Sequence, residues 1–88
     1  MTNNRRPRNR GYSLWIVRQV EAANSELLGV KLAKFCIAND ISVATVAADL
    51  GVSRQAVYRW FVGDYYPQAE MAARIETWLF DRQPAPAV

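Results

Sequence analysis

The residues with the most recognisable chemistry in this chain are Ser53, Arg54, Gln55, Tyr58 and Arg59, all within VSRQAVYRWF. At 100° per residue, a helix through them turns Val57, Trp60 and Phe61 to one side. Gln55, Tyr58, Arg59 and Val62 turn to the other, with Arg54 beside that polar face at the helix start. Arginine can bond guanine bidentately, glutamine can do the same with adenine, and tyrosine can meet a phosphate or a thymine methyl. A polar helix face is more often simply solvated, but glutamate and lysine are then the common choices. This set contains no acid. A duplex repels carboxylates, so their absence from one face of an otherwise slightly acidic chain favours DNA over solvent.

Other chemistries have less to work with. The 88 residues include no histidine and one cysteine. Triads and dyads with an imidazole base are therefore impossible, and the usual zinc ligand sets cannot be assembled. Cys36 has no partner for an intramolecular disulfide and lies among apolar residues at helical spacing, so it reads as core. No nucleophile with a base, no metal cluster and no glycine-rich phosphate loop is found, and neither an enzyme nor a cofactor is expected. The net charge of +3 is uneven: Arg5, Arg6, Arg8 and Arg10 supply four of the 11 basic residues. The remaining 7 basic and 8 acidic residues leave −1 from position 11 onward. Such a block is ordinarily a solvated tail; it contacts nucleic acid if the folded part brings it to a phosphate backbone.

Several short elements must position the polar face. Residues 1–11 lack apolar periodicity and contain Pro7 and Gly11, which predicts a flexible basic arm. Leu14, Trp15, Ile16, Val20 and Ala23 recur at near-helical spacing, giving a first helix from Ser13 to Ala23. After Asn24-Ser25, the stripe Leu28, Leu32, Phe35 and Cys36 gives a second helix ending near Asn39-Asp40. Val43 to Leu50 forms a third, stopped by Gly51. Ser53 is placed as N-cap of a fourth, with Val52 and Val57 as a hydrophobic staple and Gly63-Asp64 as its end. A fifth is expected from about Pro67 with Met71, Ala72, Ile75, Trp78 and Leu79 inward, and with a Glu70–Arg74 pair on its surface. The tail from Arg82 should fray. Trp15 and Trp78 are expected in the core. Phe80 lies off the main stripe with Ala69, Ala73 and Glu76, which makes it the candidate for a self-association surface.

Two helices can cross steeply on a short turn only where small residues lie at the crossing and the turn accepts a left-handed conformation. Ala47, Gly51 and Ala56 meet those needs, and Val46, Leu50, Val52, Val57 and Trp60 supply the apolar contacts. On these residues, LGVSRQAVYRW resembles the turn and recognition helix of the lambda-repressor and Cro-type helix-turn-helix family, with similarity over roughly residues 26–80. The resemblance implies structural roles for Ala47, Gly51, Val57 and Trp60. It implies that Ser53, Arg54, Gln55, Tyr58 and Arg59 face DNA, the early ones nearest the bases and the later ones at phosphates. Where the family commonly has a glutamine at the start of the motif's first helix, this chain has Ser42-Val43-Ala44. That phosphate contact is then missing or comes from Ser42 or Thr45. The family's usual fifth helix after the shared region is replaced by one before it, expected to fill the same packing role or to form a dimer contact.

The expected architecture is thus all-α: about five short helices over residues 12–81, with the helix-turn-helix at 43–63, the recognition helix at about 54–62 and a flexible tail at 82–88. The expected partner is double-stranded DNA, bound by a homodimer, with no small-molecule ligand. The arginine arm would enter the adjacent minor groove or follow the phosphates. Tyr65 and Tyr66, just past the recognition helix, either donate hydroxyls to phosphate or are partly buried. No stretch reaches the roughly 20 continuous apolar residues of a membrane span, and nothing reads as a secretory signal, so a cytoplasmic protein is expected. The resemblance implies a small transcriptional regulator of the kind found in phages and bacteria. A DNA-recognition module of a packaging, recombination or transposition complex is the first alternative. A protein-interaction module that keeps the fold without binding DNA is the second.

Overall fold

The computed structural model describes residues 12–83. Five helices follow one another: α1 (Leu14–Ala22), α2 (Leu28–Ala38), α3 (Val43–Leu50), α4 (Arg54–Phe61) and α5 (Ala69–Arg82). The described residues contain no strand. α2 lies at the centre, packed against α1, α4 and α5, while α3 packs against α4. Val30, Leu32, Ala33 and Cys36 of α2 meet Val46, Val57, Phe61 and Ile75 in a core that excludes water. Each large aliphatic or aromatic side chain so buried is worth about 1.5–3 kcal/mol relative to exposure.

The caps explain where these helices begin and end. Ser13, Ser42 and Ser53 are the N-caps of α1, α3 and α4, and each hydroxyl accepts the N–H three residues on, at 3.1 Å. A serine in this position contributes on the order of 1 kcal/mol. Three helices end in left-handed residues: Asp40 (φ 57°), Gly51 (φ 71°) and Gly63 (φ 78°). After each, a backbone N–H reaches back five positions: Ile41 to the Cys36 carbonyl at 2.9 Å, Val52 to Ala47 at 3.0 Å, and Asp64 to Arg59 at 3.0 Å. These bonds satisfy carbonyls that a helix end would otherwise leave without partners.

The tightest helix crossing is not within the α3–α4 pair. A Cβ on Gly29 of α2 would lie 2.7 Å from the carbonyl carbon of Trp60 and 2.8 Å from its Cβ, closer than packed atoms allow. The backbones of α2 and α4 therefore touch there, and only glycine fits. Tyr12 closes the same core from outside the helices. Its ring stacks on Phe61 with centroids 6.0 Å apart, and its hydroxyl donates to the Ile41 carbonyl at 2.6 Å.

Four expectations need correcting. Trp15 is not in the core but 64% exposed, with Leu14 beside it at 63%. α1 buries Val20 and packs Ile16, Val17 and Ala23 behind it. Trp15 stands five positions before Val20 and so about 140° round the helix from it. α5 begins at Ala69, with Gln68 as N-cap, so Pro67 precedes the helix instead of opening it. The expected Glu70–Arg74 pair gives way to a different one: among the described residues the ion pair is Arg82–Asp49, at 2.6 Å. Finally, α5 runs through Arg82, one residue past the expected end of the helical part. Trp78 is buried as expected, and Phe80 is 80% exposed.

Candidate nucleic-acid interface

α4 is amphipathic. Val57, Trp60 and Phe61 are buried, which fixes the rotation of the helix against α2 and α3. Ser53, Arg54, Gln55 and Arg59 are consequently exposed, and Tyr58 is half-buried with its ring against the core. No carboxylate interrupts this face. The next acid along the chain, Asp64, comes after the helix has ended. The side chains of Arg54, Gln55 and Arg59 make no hydrogen bond or ion pair to the described residues. Their donors and acceptors are left to water or to a ligand.

The other candidate residues are distributed unevenly. Ser42 and Thr45 occupy the first turn of α3. The Ser42 hydroxyl accepts the Thr45 N–H at 3.1 Å and lies 3.0 Å from the Thr45 hydroxyl. Ser42 is thus engaged in capping, like Ser53, whereas Thr45 is the more exposed of the two. Arg5, Arg6, Arg8 and Arg10 lie outside the described residues.

Two features that sequence reasoning missed support the face. One is a buttress behind it: Asp49 of α3 accepts from Trp78 Nε1 at 2.9 Å and from Arg82 at 2.6 Å. The Arg82 guanidinium sits 4.1 Å above the Trp78 ring. This cluster ties α3 to the end of α5. The ion pair is about a third exposed, so its own contribution is within about 1 kcal/mol; the bond to the Trp78 N–H adds a similar amount. The other feature is Tyr65, whose ring centre lies 5.6 Å from Arg59 Cζ. Tyr65 and Tyr66 are 54% and 65% exposed, which decides against the partly buried alternative. With Ala56, Trp60, Pro67 and Met71 they line a shallow groove between α4 and α5. The Gly63-Asp64 turn was the available signal that the chain returns towards α4 there.

The helix-turn-helix family model matches residues 32–77, just over half of the chain. The chain belongs to the helix-turn-helix family. Its fold is that of the lambda-repressor and Cro type, and the fold and the family expected from LGVSRQAVYRW are both shown. The match runs from the second turn of α2 into α5, a shorter span than the expected 26–80. The extra helix α1 and the close-contact residue Gly29 both lie outside it. No match was found among curated proteins or solved structures. The family supports DNA as the partner of this chain. No helix of the described residues is long and apolar enough to cross a membrane.

Proposed function

We propose that this helix-turn-helix protein reads double-stranded DNA sequence-specifically through α4 and acts as a small transcriptional regulator. The observation that carries the reading is the exposed, acid-free face of Arg54, Gln55 and Arg59 on a helix whose other side is locked into the core. Arg54 and Gln55, in the first turn, suit the base edges at the floor of the major groove. Tyr58 and Arg59, a turn later, suit the phosphates at its wall, with Ser53, Ser42 and Thr45 contributing hydroxyls or helix-start N–H groups. The basic arm, Arg5 to Arg10, supplies sequence-independent attraction. Binding as a homodimer to a palindromic site follows from the same reading, with exposed Phe80, Leu14 and Trp15 available for the contact.

That exposed apolar surface also favours a second reading, a DNA-recognition module held by a protein partner in a packaging, recombination or transposition complex. A binding selection from a random duplex library at two salt concentrations separates the two. The regulator reading expects an enriched, roughly palindromic motif whose binding weakens steeply with salt. General, salt-dependent binding without enrichment would favour the partner-dependent module. No duplex binding at all would overturn both and leave a protein-interaction module.

A further inference from the structure

The turn that ends α4 brings an aromatic ring back onto the recognition helix. Gly63 adopts φ 78°, and the Asp64 N–H donates to the Arg59 carbonyl at 3.0 Å, so the backbone is fixed at both ends of this return. Tyr65 follows immediately, its ring centroid 5.6 Å from Arg59 Cζ. A guanidinium within about 6 Å of an aromatic face is attracted by the ring quadrupole. That attraction acts on its charge and fills none of its five N–H donors. Among the described residues, no hydrogen bond or ion pair holds the Arg59 side chain in any other way. We propose that Tyr65 is a positioning residue for Arg59, restricting the guanidinium beside the outward face of α4 with its N–H groups free for a phosphate oxygen or a base edge. An arginine already restricted loses less rotamer freedom on binding. The role rests on the DNA-binding reading above, and Tyr65 itself need not touch the duplex.

The test is a double-mutant cycle on the duplex enriched in the selection, at one fixed salt concentration. Tyr65→Ala and Tyr65→Leu should each weaken binding about two- to tenfold, the cost of ordering one rotamer-rich side chain on binding. Tyr65→Phe should bind like the wild type. In an Arg59→Ala background, Tyr65→Ala should add nothing further to the loss of binding, and Tyr65→Phe should leave the melting temperature unchanged. In the free protein, the Arg59 Cδ protons should show an upfield ring-current shift that Tyr65→Phe keeps and Tyr65→Leu abolishes. A loss in Tyr65→Phe equal to that in Tyr65→Ala would mean that the hydroxyl reaches the duplex itself, and would overturn the proposal. So would a Tyr65→Ala penalty that persists without Arg59. Failure of the wild type to bind any duplex would overturn the DNA reading and this role with it. Binding with no penalty in Tyr65→Ala would overturn the role alone.

Discussion

Gln55 and Arg59 are both exposed on α4, yet they stand at opposite ends of an eight-residue helix and are expected to do different work. The first turn of a recognition helix reaches furthest into the groove, so an amide there can pair with an adenine edge, whereas a cation near the last turn meets the backbone. Gln55→Ala should therefore cost roughly 1–3 kcal/mol at the preferred site and broaden base preference at one position, with little effect on nonspecific binding. Arg59→Ala should weaken all duplexes alike and reduce the salt slope by about one. Competition assays with single-base variants of the preferred duplex read both effects. Unchanged base preference in Gln55→Ala would show that the reading face is wrongly assigned. The polar members of this face were legible because helical periodicity and the absence of acids depend only on local sequence. The Tyr65 ring beside Arg59 was not, since it depends on how the chain turns after Gly63.

Among the helices, local signals and long-range contacts contributed to different features. The starts at Ser13, Ser42 and Ser53 and the stop at Gly51 agree with the expected boundaries because caps are short-range chemistry. The α2–α4 contact at Gly29 could not be read in this way, because a glycine inside a helix looks merely unfavourable until its neighbour across the crossing is known. These two glycines should respond differently to substitution. Gly51 faces open space but holds φ 71°, so Gly51→Ala carries only the left-handed backbone penalty, about 1–2 kcal/mol. Gly29→Ala would force Cβ into the Trp60 backbone and should cost about 3 kcal/mol or more, the upper end of overpacking, because backbone atoms cannot rotate aside. Asp40, which holds φ 57° without being glycine, provides the opposite case: Asp40→Gly should stabilise by up to about 1 kcal/mol. Urea denaturation of the three variants ranks them. If Gly29→Ala were no worse than Gly51→Ala, α2 and α4 would have to be able to separate without loss.

For the molecule as a whole, the sequence pointed to a single core but misassigned one of its aromatics. Trp15 was expected inside, while Tyr12, which received no role, is 7% exposed and completes the packing against Phe61. A lone tyrosine before the first helix carries no periodic signal; its burial is set by the Ile41 carbonyl that accepts its hydroxyl. Burial perturbs two titratable groups of the core, Tyr12 and Cys36, and shifts both in the same direction. Burial pushes the Cys36 thiol from 9.0 up to about 12, with the Arg82 charge a smaller opposing influence. Burial, followed by the neighbouring Cys36 and Tyr58, holds the Tyr12 phenol well above its ordinary 10.0. Both folded values exceed the unfolded ones, so the fold favours the protonated forms. Their contribution is complete below the unfolded values and is lost as pH rises towards the folded ones. The melting temperature should therefore be insensitive to these groups up to about pH 9, where the unfolded thiol begins to ionise. Above that, stability should fall by up to about 1.4 kcal/mol per pH unit for Cys36, and more steeply once the unfolded Tyr12 also ionises past pH 10. Cys36→Ala should lower the plateau through its cavity and remove the fall between pH 9 and 10, leaving above pH 10 only the shallower loss that belongs to Tyr12. Thermal melts of the two proteins across this range decide the matter. If both lose stability in parallel from pH 9, the thiol is not the group that titrates first and the core is less closed to water than its burial requires.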